Sequence, residues 1–281
     1  MKKISKLIFC ADIHIKTNKD HQRHKEVLAQ FIEECKDIVS EYDDPEEVRI
    51  MVLGDIIDSK VDASHDLYSI VSWFFRELTN ICPVIIICGN HDVNILNVSQ
   101  KKHMLDVVID SMALSNLTYL DKYFSFKSGI YVDNNIAFCL YSIFDEYKRP
   151  EIDVHKIDNN TNGELTYIGL FHGPISYSST DSGYFISDGV SIDRFEGCDI
   201  TLCGDIHKRS VLDYTGGVAI YPSSLIQVNV GENVSRHGYM TLDVETLEYE
   251  EHDIETEWGM YKFRINSLEE LENFTEEFVN F

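Results

Sequence analysis

No apolar stretch in the 281 residues approaches the roughly 18 uninterrupted positions that a membrane-spanning helix needs. The seven cysteines include no CxxC pair, and an odd count argues against a disulfide framework. They read as small apolar core residues of a reducing compartment, with the cytoplasm expected. There is no repeat of solenoid period and no low-complexity tract. Basic charge is scarce as well: 24 Lys and Arg stand against 48 Asp and Glu, for a net charge of −24. Uniform acidity repels nucleic acid and membrane surfaces at long range. The opening MKKISKLIFCADIH superficially suggests a signal peptide. Its apolar run is only about five residues and leads straight into Asp12 and His14, so it reads as a first strand.

What is present is one design used five times. KLIFCADIH (6–14), RIMVLGDIID (49–58), VIIICGNHD (84–92), TYIGLFHG (166–173) and DITLCGDIH (199–207) each run apolar and mostly β-branched, then end in Asp, Asn or His. Continuous apolar runs suit strands covered on both faces. Between them, HKEVLAQFIEECKDIVSEY, HDLYSIVSWFFRELTN and HMLDVVIDSMALS carry their apolar residues on one helical stripe. Strand–helix–strand order implies right-handed crossovers and strands pointing the same way. Sites form at the carboxyl ends of such strands, so the polar ends should converge. From residue 134 onward the spacing shortens and strands dominate, which predicts a second, partly antiparallel sheet.

Pooling the strand ends gives Asp12, His14, Asp55, Asp58, Asn90, His91, Asp92, His172, Asp205 and His207. Carboxylates, imidazoles and one amide suit Mn, Fe, Zn or Mg, and no Cys stands at a donor position. A lone DxH is common, and GDxxD is often a turn with a solvated Asp. The two DxH pairs (12–14, 205–207), Asp55, Asn90 and His172 together supply seven donors. That exceeds one site's usual need and predicts two divalent ions sharing a carboxylate. Two metals about 3.5–4 Å apart can activate water and clamp phosphate oxygens. On this reading His91 meets the phosphate, Asp92 orients His91, and Asp58 stands behind the donors.

These blocks, DxH, GDxxD, GNHD, a later His before Gly and a final GxxH, resemble the metallophosphoesterase (calcineurin-like) superfamily over residues 6–207. The resemblance implies a four-layer α/β/β/α sandwich of two mixed sheets. It implies that Asp12, His14 and His207 hold one metal, that Asp55 bridges, and that Asn90, His172 and Asp205 complete the second. It also implies that His91 stabilises the transition state or protonates the leaving oxygen. The segment AIYPSSLIQVNVGENVSRHGYMTLDVET (219–246) is similar to the YPGSxxQxxFGE…KGY signature of SbcD-type double-strand-break-repair nucleases, phage recombination endonuclease subunits above all. This family implies a two-metal DNA phosphodiesterase acting 3′→5′ on duplex ends and as an endonuclease on single strands. Implied with it are Mn2+ or Mg2+ as cofactor, an SbcC-type ABC ATPase partner, and a homodimer in the complex. Cellular members carry GHxH where this chain has GDIH, so Asp205 replaces an imidazole by an anionic oxygen donor that favours harder ions. Residues 1–255 are expected to form the nuclease domain, and 256–281 a partial capping domain cut short, with YKFRI (261–265) as a strand and Ser267 and Glu270 as a capping box.

Two other readings compete. A small-molecule or phosphoprotein phosphoesterase fits the acidic balance, although GDIIDSK and GNHD lack the Arg and Glu of the phosphoprotein phosphatases' GDxVDRG and GNHE. A non-catalytic DNA-end scaffold would show degenerate donors, and the one replacement here is by another donor type. His21, His24 and His65 are expected to be solvated; Tyr177, Tyr184 and Phe185, in the loop after His172, could stack on a displaced base, but packing within their loop is the expectation. Lys208 and Arg209, with Lys101, Lys102 and the KRP at 148–150, offer a weak basic patch.

Overall fold

The computed structural model describes residues 2–60, 62, 64–93, 103–151, 165–268 and 270–271. Two six-stranded sheets lie face to face. The first runs in the order β12-β11-β1-β2-β3-β4, with β1 (Lys6–Cys10), β2 (Val48–Leu53), β3 (Val84–Ile87) and β4 (Leu117–Tyr119) parallel. The antiparallel strands β11 (Gly238–Asp243) and β12 (Tyr249–Asp253) extend its other edge. The second runs β5-β6-β7-β8-β10-β9, from β5 (Gly129–Asp133) and β6 (Ile136–Tyr141) through β7 (Thr166–His172) and β8 (Ile200–Gly204) to β10 (Gly217–Tyr221) and β9 (Ser210–Tyr214). Its three central pairings are parallel and its two edges antiparallel.

Strand alternation explains why the apolar runs are continuous. Leu7 and Phe9 of β1, Met51 and Leu53 of β2 and Ile85 and Ile87 of β3 point inward between the sheets. There they meet Phe138, Leu140, Ile168, Leu170, Ile200 and Leu202 of the second sheet. The intervening Ile8, Cys10, Ile50, Val52, Val84 and Ile86 face outward onto helices α1 (His21–Ser40), α2 (His65–Ile81) and α3 (Met104–Met112). Each helix turns its apolar stripe to the sheet, with Phe31 and Phe74 meeting at 6.2 Å. Ser64 caps α2 by accepting the Leu67 N–H at 3.1 Å. The outer face of the second sheet buries Tyr141, Phe171, Phe195, Cys203 and Tyr221 under a layer built, among the described residues, from the 173–195 loop and a 3-10 turn at Ile192–Phe195. All seven cysteines are buried and unpaired. No helix among the described residues is long and apolar enough to cross a membrane.

Polar links join the two sheets at both ends of the strands. Near the carboxyl ends, Asp121 is buried and accepts the Cys88 N–H at 2.8 Å after β3 and the Ser142 hydroxyl at 2.5 Å after β6. Burial pushes its pKa up to about 6 in spite of these bonds. At the opposite end of β2, the buried Arg49 grips Asp133 of β5 through two bonds, Nε at 2.7 Å and Nη2 at 3.1 Å. Its Nη1 donates to the carbonyls of Glu46 and Val48 at 2.9 and 3.0 Å.

The expected strand at 261–265 joins neither sheet. The chain leaves β12 and is tied at Met260 to the Gln227 side chain, which donates to the Met260 carbonyl at 3.1 Å and accepts its N–H at 2.7 Å, so 261–265 runs on exposed instead of adding to the sheet edge. The capping-box residues do meet at 266–270. Ser267 accepts the Glu270 N–H at 3.1 Å, while the Glu270 carboxylate accepts the Asn266 N–H at 2.6 Å rather than that of Ser267. The remainder of that helix, from residue 272, lies outside the described residues, as do Lys101, Lys102 and His155.

Replacing Arg49 by Met leaves Asp133 at the sheet junction without its cation and with only the Asn134 Nδ2 hydrogen bond. Urea denaturation should show a loss of about 3 kcal/mol, with the divalent-ion content of the folded protein unchanged because Arg49 lies at the other end of β2 from Asp55.

Candidate metal centre

All five polar clusters leave the carboxyl ends of strands: β1, β2 and β3 in one sheet, β7 and β8 in the other. The backbone turns sharply there. Asp12, His14, Asp55 and Asp205 have φ of 54°, 48°, 51° and 92°, in the left-handed region that non-glycine residues seldom occupy. Such strain persists only where surrounding bonds hold it. Here the Asp12 N–H donates to the Gly54 carbonyl at 3.1 Å, and the His14 N–H to that of Asp55 at 2.9 Å. The strands approach too closely for side chains at two points. A Cβ on Gly54 (φ 86°) would sit 2.5 Å from His172 Nδ1, and one on Gly89 would sit 2.2 Å from the Asp55 nitrogen.

The donor atoms converge. Nε2 of His14 and Nε2 of His207 lie 3.2 Å apart, and both face Asp12 Oδ1 at 3.9 and 3.7 Å. Asp55 Oδ2 is 3.5 Å from His14 Nε2, and its Oδ1 is 3.4 Å from His172 Nε2. His172 Nε2 is also 4.0 Å from both Asp12 Oδ1 and Asp205 Oδ1. Asn90 Nδ2 donates to Asp205 Oδ1 at 2.5 Å. Three triads therefore have donor atoms within 4.8 Å of one another: Asp12, His14 and His207; Asp12, Asp55 and His172; and His14, Asp55 and His91. Asp12 and Asp55 each belong to two of them.

The electrostatics fit a cation-holding site. Asp12 and Asp55 are almost wholly buried. Burial raises the Asp12 carboxyl to about 7, whereas for Asp55 the His172 and His14 imidazoles outweigh burial and hold it well below the usual range. Asp205 is raised by burial. Burial alone would lower His172 and His207, but the carboxylates around them dominate, lifting His172 far above its ordinary value and His207 to about 9. His172 Nδ1 bonds the Leu53 carbonyl at 2.6 Å, which leaves Nε2 buried among three carboxylates with no hydrogen-bond partner. A divalent ion bound there would take the place of the Nε2 proton and answer the three carboxylates at once.

Outside the donors, several assignments change. Asp92 does not orient the His91 ring. Its Oδ1 accepts the N–H groups of Ile56 and Ile57, both at 2.9 Å, and its Oδ2 that of Gly89 at 2.9 Å. It welds the loop after β2 to the loop after β3, and burial lifts its pKa to about 7. The orienting group for His91 is the Asp58 carbonyl, 2.9 Å from Nδ1. The Asp58 carboxylate faces His14 Nδ1 at 3.5 Å and accepts Lys16 Nζ at 2.7 Å. His24 is buried rather than solvated, with its Nε2 3.1 Å from the His14 carbonyl. Glu232, which sequence reasoning left without a role, receives His207 Nδ1–H at 2.7 Å. The only hint was its place in the quoted 219–246 segment.

The basic patch divides. Arg209 is spent on Glu251 and Asp253, at 3.1 and 2.6 Å. Lys208 reaches Ser179 Oγ at 3.0 Å. Tyr177, Tyr184 and Phe185 are exposed, although the Tyr177 and Phe185 rings lie 5.8 Å apart.

Residues 5–209 match the family model described as calcineurin-like phosphoesterase. An uncharacterized protein of Acanthamoeba polyphaga mimivirus is 29% identical over 261 residues, covering 91% of this chain and 18% of its own length. The chain thus spans less than a fifth of that curated relative. Among solved structures, a dimetal phosphatase from Danio rerio is similar at TM-score 0.50 and 12% identity, covering 86% of this chain and 93% of that one. A novel archaeal phosphodiesterase (TM-score 0.43, 14% identity, 89% and 99% covered) and the phosphopantetheinyl hydrolase of Mycobacterium tuberculosis (0.44, 12%, 79% and 90%) are more distant in fold. At these identities the likeness concerns the fold.

Carboxylates behind metal-binding imidazoles fix ring orientation and raise basicity, and their loss typically weakens metal affinity 10- to 100-fold. Glu232→Gln should therefore weaken divalent-ion binding at the cluster that includes His207 by about that factor, read by titration calorimetry with Mn2+ as the probe. Unchanged affinity would reduce Glu232 to a loop support through its bond from the Val228 N–H.

Proposed function

This chain belongs to the calcineurin-like phosphoesterase family, and on that premise we propose that it is a metal-dependent hydrolase of phosphate diesters whose substrate is a nucleic acid strand. The observation that carries the hydrolase reading is the convergence of His14, His207, His172, Asp12 and Asp55 donor atoms, with His172 Nε2 buried and without a partner. Asp12, His14 and His207 would hold one divalent cation, and Asn90, His172 and Asp205 the other, with Asp55 facing both. When bound, the two ions supply Lewis acidity to phosphoryl oxygens and make water a nucleophile at neutral pH.

The chain's own groups do the rest. The Asp58 carbonyl fixes the proton of His91 on Nδ1 and turns Nε2 free for the substrate. In the imidazolium form, with Nδ1–H still held by that carbonyl, Nε2–H would hydrogen-bond the developing charge and give its proton to the departing oxygen, leaving the neutral Nδ1–H ring. Asp92, through three backbone N–H groups, sets the spacing between Asp55 and Asn90.

The finer reading is a DNA nuclease subunit of an SbcCD-type complex, cytoplasmic and dimeric, working with an ABC ATPase and using Mn2+ or Mg2+. Its support is the 219–246 segment, which lies against the site. The Ser224 N–H donates to the His207 carbonyl at 3.3 Å, the Leu225 N–H to that of Ala11 at 3.1 Å, and Glu232 holds His207. A second reading, a small-molecule or phosphoprotein phosphoesterase, is favoured by the net charge of −24.

Mn2+-loaded protein should cut single-stranded DNA faster than it hydrolyses p-nitrophenyl monoesters or a phosphopeptide. His91→Ala should lower kcat by roughly 10²- to 10⁴-fold while mass spectrometry still counts two ions per chain. Turnover confined to the monoesters would transfer the assignment to the second reading. Wild-type kcat in the His91 variant would remove the proton donor.

A further inference from the structure

After β7 the chain forms a small hairpin at residues 176–186. The Tyr177 N–H donates to Ile186 O at 2.8 Å, Ile186 N–H to Ser178 O at 3.0 Å, and Thr180 N–H to Tyr184 O at 3.0 Å. Ser179 and Phe185 pair as an antiparallel bridge. Ile175, Ser178 and Ile186 at its base are buried against the second sheet. The tip is different. Tyr177, Tyr184 and Phe185 stand 74%, 65% and 55% exposed. Tyr177 has a φ of 74°, a left-handed conformation costly for a bulky residue, and its ring lies 5.8 Å from that of Phe185. Three large aromatic rings held in water on an ordered hairpin mark a surface that meets something.

The hairpin is fastened to the metal centre twice. Lys208, adjacent to His207, donates to Ser179 Oγ at 3.0 Å. Asn233, adjacent to Glu232, donates to both Asp181 oxygens, from its backbone N–H at 3.3 Å and from Nδ2 at 3.0 Å. Glu232 in turn holds His207 Nδ1. The hairpin that carries the rings is therefore held in place relative to a proposed metal donor.

We propose that the 176–186 hairpin is a stacking platform on which Tyr177, Tyr184 and Phe185 receive an unpaired nucleobase of a strand whose neighbouring phosphate lies at the metal centre. The inference rests on the phosphodiesterase reading above and names how that site grips its substrate. Every base offers a π-face, so aromatic stacking gives affinity without sequence preference. It also suits an acidic chain, because stacking needs no positive charge. Lys208, bonded to Ser179 of the hairpin, contributes local cationic character. An apolar peptide would gain nothing from a platform tied to His207.

The test compares the wild type with two variants of the full chain, Tyr177→Ala/Tyr184→Ala/Phe185→Ala and the ring-keeping Tyr177→Phe/Tyr184→Phe. Fluorescent single-stranded oligonucleotides are cut in Mn2+, intact or with one abasic site moved along the strand. The alanine variant should raise KM for the intact strand roughly 5- to 150-fold, with the phenylalanine variant close to wild type. Both should keep the wild-type kcat on bis(p-nitrophenyl) phosphate. In the wild type, an abasic site at one position should raise KM by the same factor, and the alanine variant should show no further loss there. A flat abasic profile in a wild type that cuts DNA overturns the platform alone, and does so even if the alanine variant fails to fold. Hydrolysis of the small diester with no cutting of any oligonucleotide overturns the nucleic-acid reading, and the platform with it.

Discussion

Carboxylates enter a dry interior only where positive charge or well-aimed N–H groups meet them, and this fold is arranged around three that do. Asp12, Asp55 and Asp92 are almost wholly buried within one cluster of loops. Asp92 is answered by three backbone N–H groups, Asp55 by imidazoles and the His91 N–H, and Asp12 by the Asp205 N–H and three imidazoles at longer range. Burial of that much anionic oxygen costs several kcal/mol per unpaired charge. A cation held by the candidate donor cluster would offset that cost. The left-handed turns at Asp12, His14, Asp55 and Asp205 are the local cost of pointing them at a common centre.

The two-sheet core makes that convergence possible. Each sheet delivers its parallel strands to the same end of the molecule, and the apolar layer between them fixes how far apart their carboxyl ends lie. Gly54 and Gly89 let the ends of β2, β3 and β7 close to distances that no Cβ permits. Asp121 ties the ends of β3 and β6 behind the site, and Arg49 with Asp133 does the same at the far side. Stability and site geometry thus share one set of links.

The polyanionic substrate proposed for this strongly acidic chain is less contradictory than the net charge suggests. At physiological ionic strength charges more than about 8 Å away are largely screened, so the field at the metal centre is set by its immediate neighbours. Two divalent ions would reverse the sign of the potential there while offsetting only a few of the 24 excess charges. Arg209, which could have widened the positive area, is neutralised by Glu251 and Asp253. Affinity beyond the centre would then have to come from uncharged contacts or from another chain.

The sequence alone was enough to read the two mixed sheets, the helices on the first, and the convergence of the strand-end donors. Each follows from local chemistry: apolar runs bury, and a strand that stops at Asp, Asn or His leaves that side chain at its carboxyl end. What tertiary structure decided is which group serves which. Asp92 follows His91 directly yet bonds the loop after β2, because its side chain leaves the turn in the other direction. His24 is buried behind His14, Glu232 reaches back 25 residues to His207, and the rings of the 176–186 hairpin stay in water although their sequence suggested packing. Those pairings depend on distances between segments remote in the chain, and no periodicity along a sequence records them.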